Sequence, residues 1–253
     1  MVRIVHLHEG NPYFCPLMIF KDLAEPQVIF EENHILVLNK PAGWLVQGDK
    51  TGDHTLTDWA RQYIKEKYHK PGEVYLHPVH RLDRPVSGIV TFARTSKASG
   101  RLNRLFREDK VHKTYLAVVQ NIPVHAEGTL VHWLIKDRSK NLVKACDKER
   151  KQAKRAELAY EVLLVQKNQS LLMVRPKTGR PHQIRVQLAS MKCPIVGDLR
   201  YGKGLPNADK SISLHAFQLS FIHPVRKEPL QLTCAPNGQN WSAFQSKIDE
   251  LDR

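Results

Sequence analysis

Two stretches of this chain read as β-hairpins, and they narrow the possible folds more than any other feature. Val28-Ile29-Phe30 leads through the polar residues Glu31, Glu32, Asn33 and His34 into Ile35-Leu36-Val37-Leu38-Asn39. Further on, residues 158–165 lead through Gln166-Lys167-Asn168-Gln169 into residues 170–175. A short polar connection between two β-prone apolar runs returns the chain antiparallel to itself. Residues 113–119, 214–222 and 230–234 read as further strands, and no regular strand-helix-strand alternation links them. The pattern predicts an α+β fold: a mixed, mainly antiparallel sheet with flanking helices.

Helices are expected at four places. Residues 55–68 place Leu56, Trp59, Ala60, Tyr63 and Ile64 on one face, and Thr55 with Asp58 makes a capping arrangement. Residues 96–108 place Leu102, Leu105 and Phe106 on a stripe with Ser96 as the expected cap. A helix is expected over 182–191, with Pro181 in its first turn, and a short one near residue 253. Residues 136–155 are densely charged and read as an exposed loop or insertion. Residues 1–26 read as an irregular leader, and 27–253 as a single domain.

Charge points to a partner class. Lys and Arg number 39 against 25 Asp and Glu, a formal net charge of +14. Such an excess favours a polyanion, because basic side chains displace counterions from phosphates. The four cysteines, Cys15, Cys146, Cys193 and Cys234, form no Cys-x-x-Cys pair, which excludes a zinc ribbon and suits reduced thiols in the cytoplasm. Leu17-Met18-Ile19-Phe20 is too short for a signal peptide or a membrane span. Neither Gly-x-Gly-x-x-Gly nor a Gly-Lys-Ser/Thr phosphate loop occurs, so no nucleotide cofactor is expected.

One segment concentrates chemistry: His80-Arg81-Leu82-Asp83-Arg84-Pro85-Val86-Ser87-Gly88. If it is extended, Arg81 and Asp83 project to one side. A neighbouring guanidinium keeps a carboxylate ionised in a partly dry pocket, as a nucleophile or base requires. The same residues also suit a structural ion pair at a strand entrance. His77, His80 and Asp83 have metal-like spacing, but Pro78 and Pro85 break the helix such spacing needs, and the arginines repel a cation. No metal is expected. A second cluster, Arg180-Pro181-His182-Gln183-Ile184-Arg185, opens a helix, where Arg185 could meet a carboxylate or a phosphate. Tyr115 follows Lys113 in a strand and could stack on a base or serve only the core.

These segments, in this order, resemble the RluA-type RNA pseudouridine synthases. The likeness runs through His80-Arg81-Leu82-Asp83-Arg84, Ser87-Gly88, Lys113-Thr114-Tyr115 and Thr178-Gly179-Arg180-Pro181-His182-Gln183-Ile184-Arg185. It continues in Cys193-Pro194-Ile195-Val196-Gly197-Asp198, Tyr201-Gly202 and Leu214-His215-Ala216, with Lys40-Pro41-Ala42-Gly43 as an early loop. The resemblance implies the pseudouridine synthase catalytic-domain fold and isomerisation of uridine in tRNA or rRNA without cofactor or metal. It implies that Asp83 is the essential carboxylate, that Arg185 pairs with it, and that Tyr115 lies against the target base. Arg81 would enter the RNA where the uridine flips out. Val86 stands where the family usually has threonine. The roughly 25 residues before the catalytic region are too few for the S4 RNA-binding domain of many relatives. Pro85 after Arg84 is the one feature that resembles the TruC-type tRNA enzymes in particular. A non-catalytic RNA-binding protein and a metal-dependent nuclease are the rival readings. A purely binding protein has no use for Asp83, which repels phosphate.

Overall fold

The computed structural model describes residues 3–5, 24–48, 52–137 and 139–253. The leader expected over 1–26 falls mostly outside them, but Arg3–Val5 form a strand, β1. The chain divides into two compact units. One comprises residues 1–111 and 218–234, the other 112–217 and 235–253.

After β1 the first unit holds the expected hairpin, β2 (Gln27–Glu31) and β3 (Ile35–Lys40). Helix α1 (Leu56–Lys67) begins at Thr55, whose hydroxyl accepts from the Asp58 backbone while Asp58 reaches back to Thr55, the reciprocal box read from the sequence. Glu31, nearly buried, binds Tyr63 Oη at 2.8 Å, Lys67 Nζ at 2.6 Å and Arg94 Nη1 at 3.0 Å, and so sews α1 to the hairpin. A two-residue strand, β4 (His77–Pro78), and β5 (Ser87–Ala93) follow, and β5 pairs antiparallel with β3.

Helix α2 (Ser96–Arg107) is capped one residue earlier than expected. Thr95, with extended backbone, accepts from Ala98 N at 3.2 Å. Threonine wins because a cap must lie outside the helical dihedrals, and Ser96 is already inside them. Leu102 is fully buried, whereas Leu105 and Phe106 are half-buried.

In the second unit, β6 (His112–Gln120), β7 (Glu127–Asp137), β8 (Leu142–Cys146), β9 (Lys154–Gln166) and β10 (Gln169–Pro176) form an antiparallel ladder in the order β6-β10-β9-β7-β8. The expected charged loop over 136–155 is therefore corrected. It holds β8, the end of β7 and the start of β9. Val143 supplies the reason: it is buried with Leu134, Ala156 and Val186, while Lys144 beside it faces outward, so the lysines cover only one face.

Helix α3 (Gln183–Ser190) starts after His182, which has left-handed backbone (φ 51°) and lies outside the helix it was expected to open. β11 (Leu214–Ile222) begins in the second unit and ends in the first, where it pairs antiparallel with β12 (Pro229–Thr233). β12 also pairs parallel with β1, which makes the pairing mixed, as the α+β reading expected. A 3-10 turn (Gln239–Phe244) and α4 (Gln245–Leu251) cover the second unit with Trp241, Phe244 and Ile248, packed on Leu116, Val118, Leu171 and Phe217. Among the described residues no helix is long and apolar enough to cross a membrane.

Candidate active site

In the first unit, the arginine-flanked acid sits on a tight turn between β4 and β5. Val86 N donates to Asp83 O at 3.0 Å, and the buried Leu82 and Val86 fix the turn from both sides. Residues 81–83 are not part of a strand. Arg81 is exposed, and Asp83 is half-buried. His80 is engaged structurally: its Nε2 accepts from Thr91 N at 3.1 Å, and its ring stacks on Phe106 with centroids 4.9 Å apart.

Arg84 clamps this turn to the loop after β3. Its Nε donates to Gly43 O at 2.9 Å, its Nη1 binds Asp53 at 2.8 Å, and its carbonyl accepts from Gly43 N at 2.8 Å. The same carbonyl accepts from Lys40 Nζ at 3.2 Å. Lys40 also donates to Pro41 O and Trp44 O, each at 3.0 Å, and is fully buried. Burial pushes the Lys40 ammonium down to about 7, against the raising influence of the Asp83 carboxylate. Sequence reasoning met Lys40 only as part of a loop. Its signal was the strand period: Leu36, Leu38 and Lys40 share one face of β3, and that face is buried.

In the second unit, Tyr115 lies in β6, half-buried and opposite Val174 of β10. The loop before α3 is locked by Gln183, whose Oε1 accepts from Thr178 Oγ1 at 2.8 Å and Arg180 N at 3.0 Å. Gln183 Nε2 donates to Glu157 O at 3.0 Å, which fastens the loop to β9. Arg185, one turn into α3, is 5% exposed and grips Asp198 through Nε at 2.7 Å and Nη2 at 2.9 Å. Tyr201 lies 5.2 Å from the Arg185 guanidinium and shares a 2.6 Å hydrogen bond with His182 Nδ1. Asp198 and Tyr201 are functional candidates that spacing alone did not single out. The signal was the pair of glycines around them, Gly197 and Gly202.

Residues 34–190 match the model of the RNA pseudouridylate synthase family. The chain is 32% identical over 225 residues to tRNA pseudouridine synthase C of Vibrio parahaemolyticus, covering 82% of this chain and 89% of that protein. It is 33% identical over 202 residues to the dual-specificity RNA pseudouridine synthase RluA of Vibrio vulnificus, covering 78% of each. Among solved structures, human RNA pseudouridylate synthase domain containing 4 shares the fold, with a TM-score of 0.71 at 23% identity, over 88% of this chain and 93% of that one. The turn at Asp83 and the start of the Arg185 helix both lie within the matched residues, and the chain belongs to the RNA pseudouridylate synthase family, isomerases that convert uridine to pseudouridine.

Proposed function

We propose that this enzyme isomerises a uridine in structured tRNA or rRNA, with Asp83 as its catalytic carboxylate. The observation that carries the reading is how the chain presents that acid. Lys40, Gly43 and Val86 all donate to the main chain of residues 83–84, while the carboxylate stays half-buried. A group fixed by its backbone loses little freedom when substrate arrives.

In this reading the uridine leaves its stack, Arg81 fills the space and meets phosphate, and Tyr115 lies against the base. The family resemblance assigns Arg185 the part of the basic residue paired with the catalytic carboxylate, a pairing that favours the ionised acid. The N1–C1′ bond breaks, the uracil turns in place, and C5 bonds to C1′. The C5 proton is then lost to solvent while N1 gains one, so the product is an isomer of the substrate and neither metal nor cofactor takes part. The positive charge holds the RNA independently of sequence. Residues 27–253 act as one catalytic domain, and the enzyme works as a monomer in the cytoplasm. Relatives named tRNA pseudouridine synthase C make transfer RNA the first substrate to assay.

The test is tritium release from RNA containing 5-tritiated uridine, with chelator present, using RNA from a strain lacking the gene. Wild type releases tritium, and Asp83→Asn binds RNA but releases none. Full turnover by Asp83→Asn removes the carboxylate from the mechanism.

A further inference from the structure

Arg185 does not stand alone in its unit: two further side chains, Asp198 and Tyr201, frame it. Asp198 takes its guanidinium side-on, through Nε and Nη2 at 2.7 and 2.9 Å, and the Asp198 side chain is 1% exposed. Such a fork fixes the plane of the guanidinium as well as its position, and engages two of its five donors.

The carboxylate is itself fixed. Asp198 Oδ1 accepts from Arg200 N at 3.1 Å, Asp198 N donates to Ile195 O, and Gly202 N donates to Asp198 O at 2.8 Å. Gly197 has φ +82°, and a Cβ there would stand 2.6 Å from Asn207 and 2.8 Å from Ser211 O. A Cβ on Gly202 would stand 2.9 Å from Asp198 O. Both glycines are therefore required for the close turn that carries Asp198.

Tyr201 closes the frame. Its ring lies 5.2 Å from the Arg185 guanidinium, within cation–π range. Its hydroxyl accepts from Val143 N at 3.0 Å and meets His182 Nδ1 at 2.6 Å. Burial raises the phenol, so it stays protonated at neutral pH. Arg200 Nη1 donates to Asn141 O at 2.5 Å, a second tie to the β7–β8 hairpin.

We propose that Asp198 is the positioning residue for Arg185 and that Tyr201 seals the opposite side of the frame, so that Arg185 meets its anion with a preset orientation. The inference rests on the reading of Arg185 as a site residue. Without the Asp198 carboxylate the guanidinium keeps its charge but loses its plane, so RNA binding survives while turnover falls.

A double-mutant cycle separates this role from ordinary structural support. Asp198→Asn is expected to lower kcat about thirtyfold with RNA affinity and KM within about threefold. Arg185→Lys should lose more, and the double variant should be no slower than Arg185→Lys alone, because both changes disable one device. Losses that multiply in the double variant, or a fall confined to KM, overturn the proposal. An Arg185→Lys enzyme with wild-type kcat would instead remove Arg185 from the site. If Asp198→Asn fails to fold, Tyr201→Phe carries the test. It keeps the ring and deletes the hydroxyl, with about a threefold loss of kcat expected and the same non-additivity with Arg185→Lys; multiplicative losses there overturn the proposal equally.

Discussion

Replacing Lys40 by methionine tests the buried ammonium beneath the Asp83 turn. Burial brings the folded group down from 10.5 to about 7. Between those values the unfolded chain binds the proton that the folded chain has released. Raising pH therefore stabilises the fold, by at most about 1.4 kcal/mol per pH unit. Across the whole interval the effect reaches about 5 kcal/mol, and between pH 7.0 and 8.5 about 1.5 kcal/mol. Methionine matches the length of lysine but cannot donate to Pro41 O, Trp44 O or Arg84 O. Each carbonyl left without that donor costs about 1–3 kcal/mol, while removing a desolvated charge returns a similar total. The two nearly cancel at pH 7, so absolute stability discriminates poorly and the pH slope discriminates well. Urea unfolding followed by tryptophan emission at pH 7.0 and 8.5 reads it directly. Wild type should gain about 1.5 kcal/mol more than Lys40→Met over this interval. An identical pH dependence in the two proteins would refute the assignment of a depressed ammonium.

Three further outcomes are expected. Arg81→Ala, which removes an exposed guanidinium, should slow turnover on folded RNA more than it weakens binding; an unchanged single-turnover rate would end its proposed role in flipping. Thr95→Ala should cost about 1 kcal/mol in urea unfolding and Ser96→Ala almost nothing, and the reverse order would return the α2 cap to Ser96. Gly197→Ala should cost about 1–3 kcal/mol, from its left-handed backbone and its crowding against Asn207 and Ser211; an unchanged unfolding midpoint would show that the turn yields freely.

What could be read in the sequence was whatever depends on near neighbours along the chain. The hairpin β2–β3 and the box at Thr55 and Asp58 were legible because turn length and cap chemistry act within a few residues. The β7–β8 pairing was not, because Lys140, Lys144, Lys148 and Arg150 obscured the buried Val143. The choice of Thr95 over Ser96 turned on backbone dihedrals, which two adjacent hydroxyl residues do not reveal. Of the residues proposed for the site, Asp83 and Arg185 stood out in the sequence as charges in unusual company. The bond from Arg185 to Asp198 spans a helix and a turn, and only folding brings them together. Lys40 escaped notice because a lysine at a buried strand position is read as the strand's end. Here three main-chain oxygens receive it.

The division of the chain also bears on its synthesis. The first unit takes residues 218–234 as well as 1–111, and the second takes 235–253 as well as 112–217. On the ribosome, neither can be finished when its main segment emerges. β1 must wait for β12, more than two hundred residues later, and Leu116 and Phe217 stay uncovered until Trp241, Phe244 and Ile248 arrive. Local hairpins can form during translation, but the long-range closures come only at its end. A nascent chain stalled before residue 218 would expose apolar surface from both units at once, making it a natural client for chaperones.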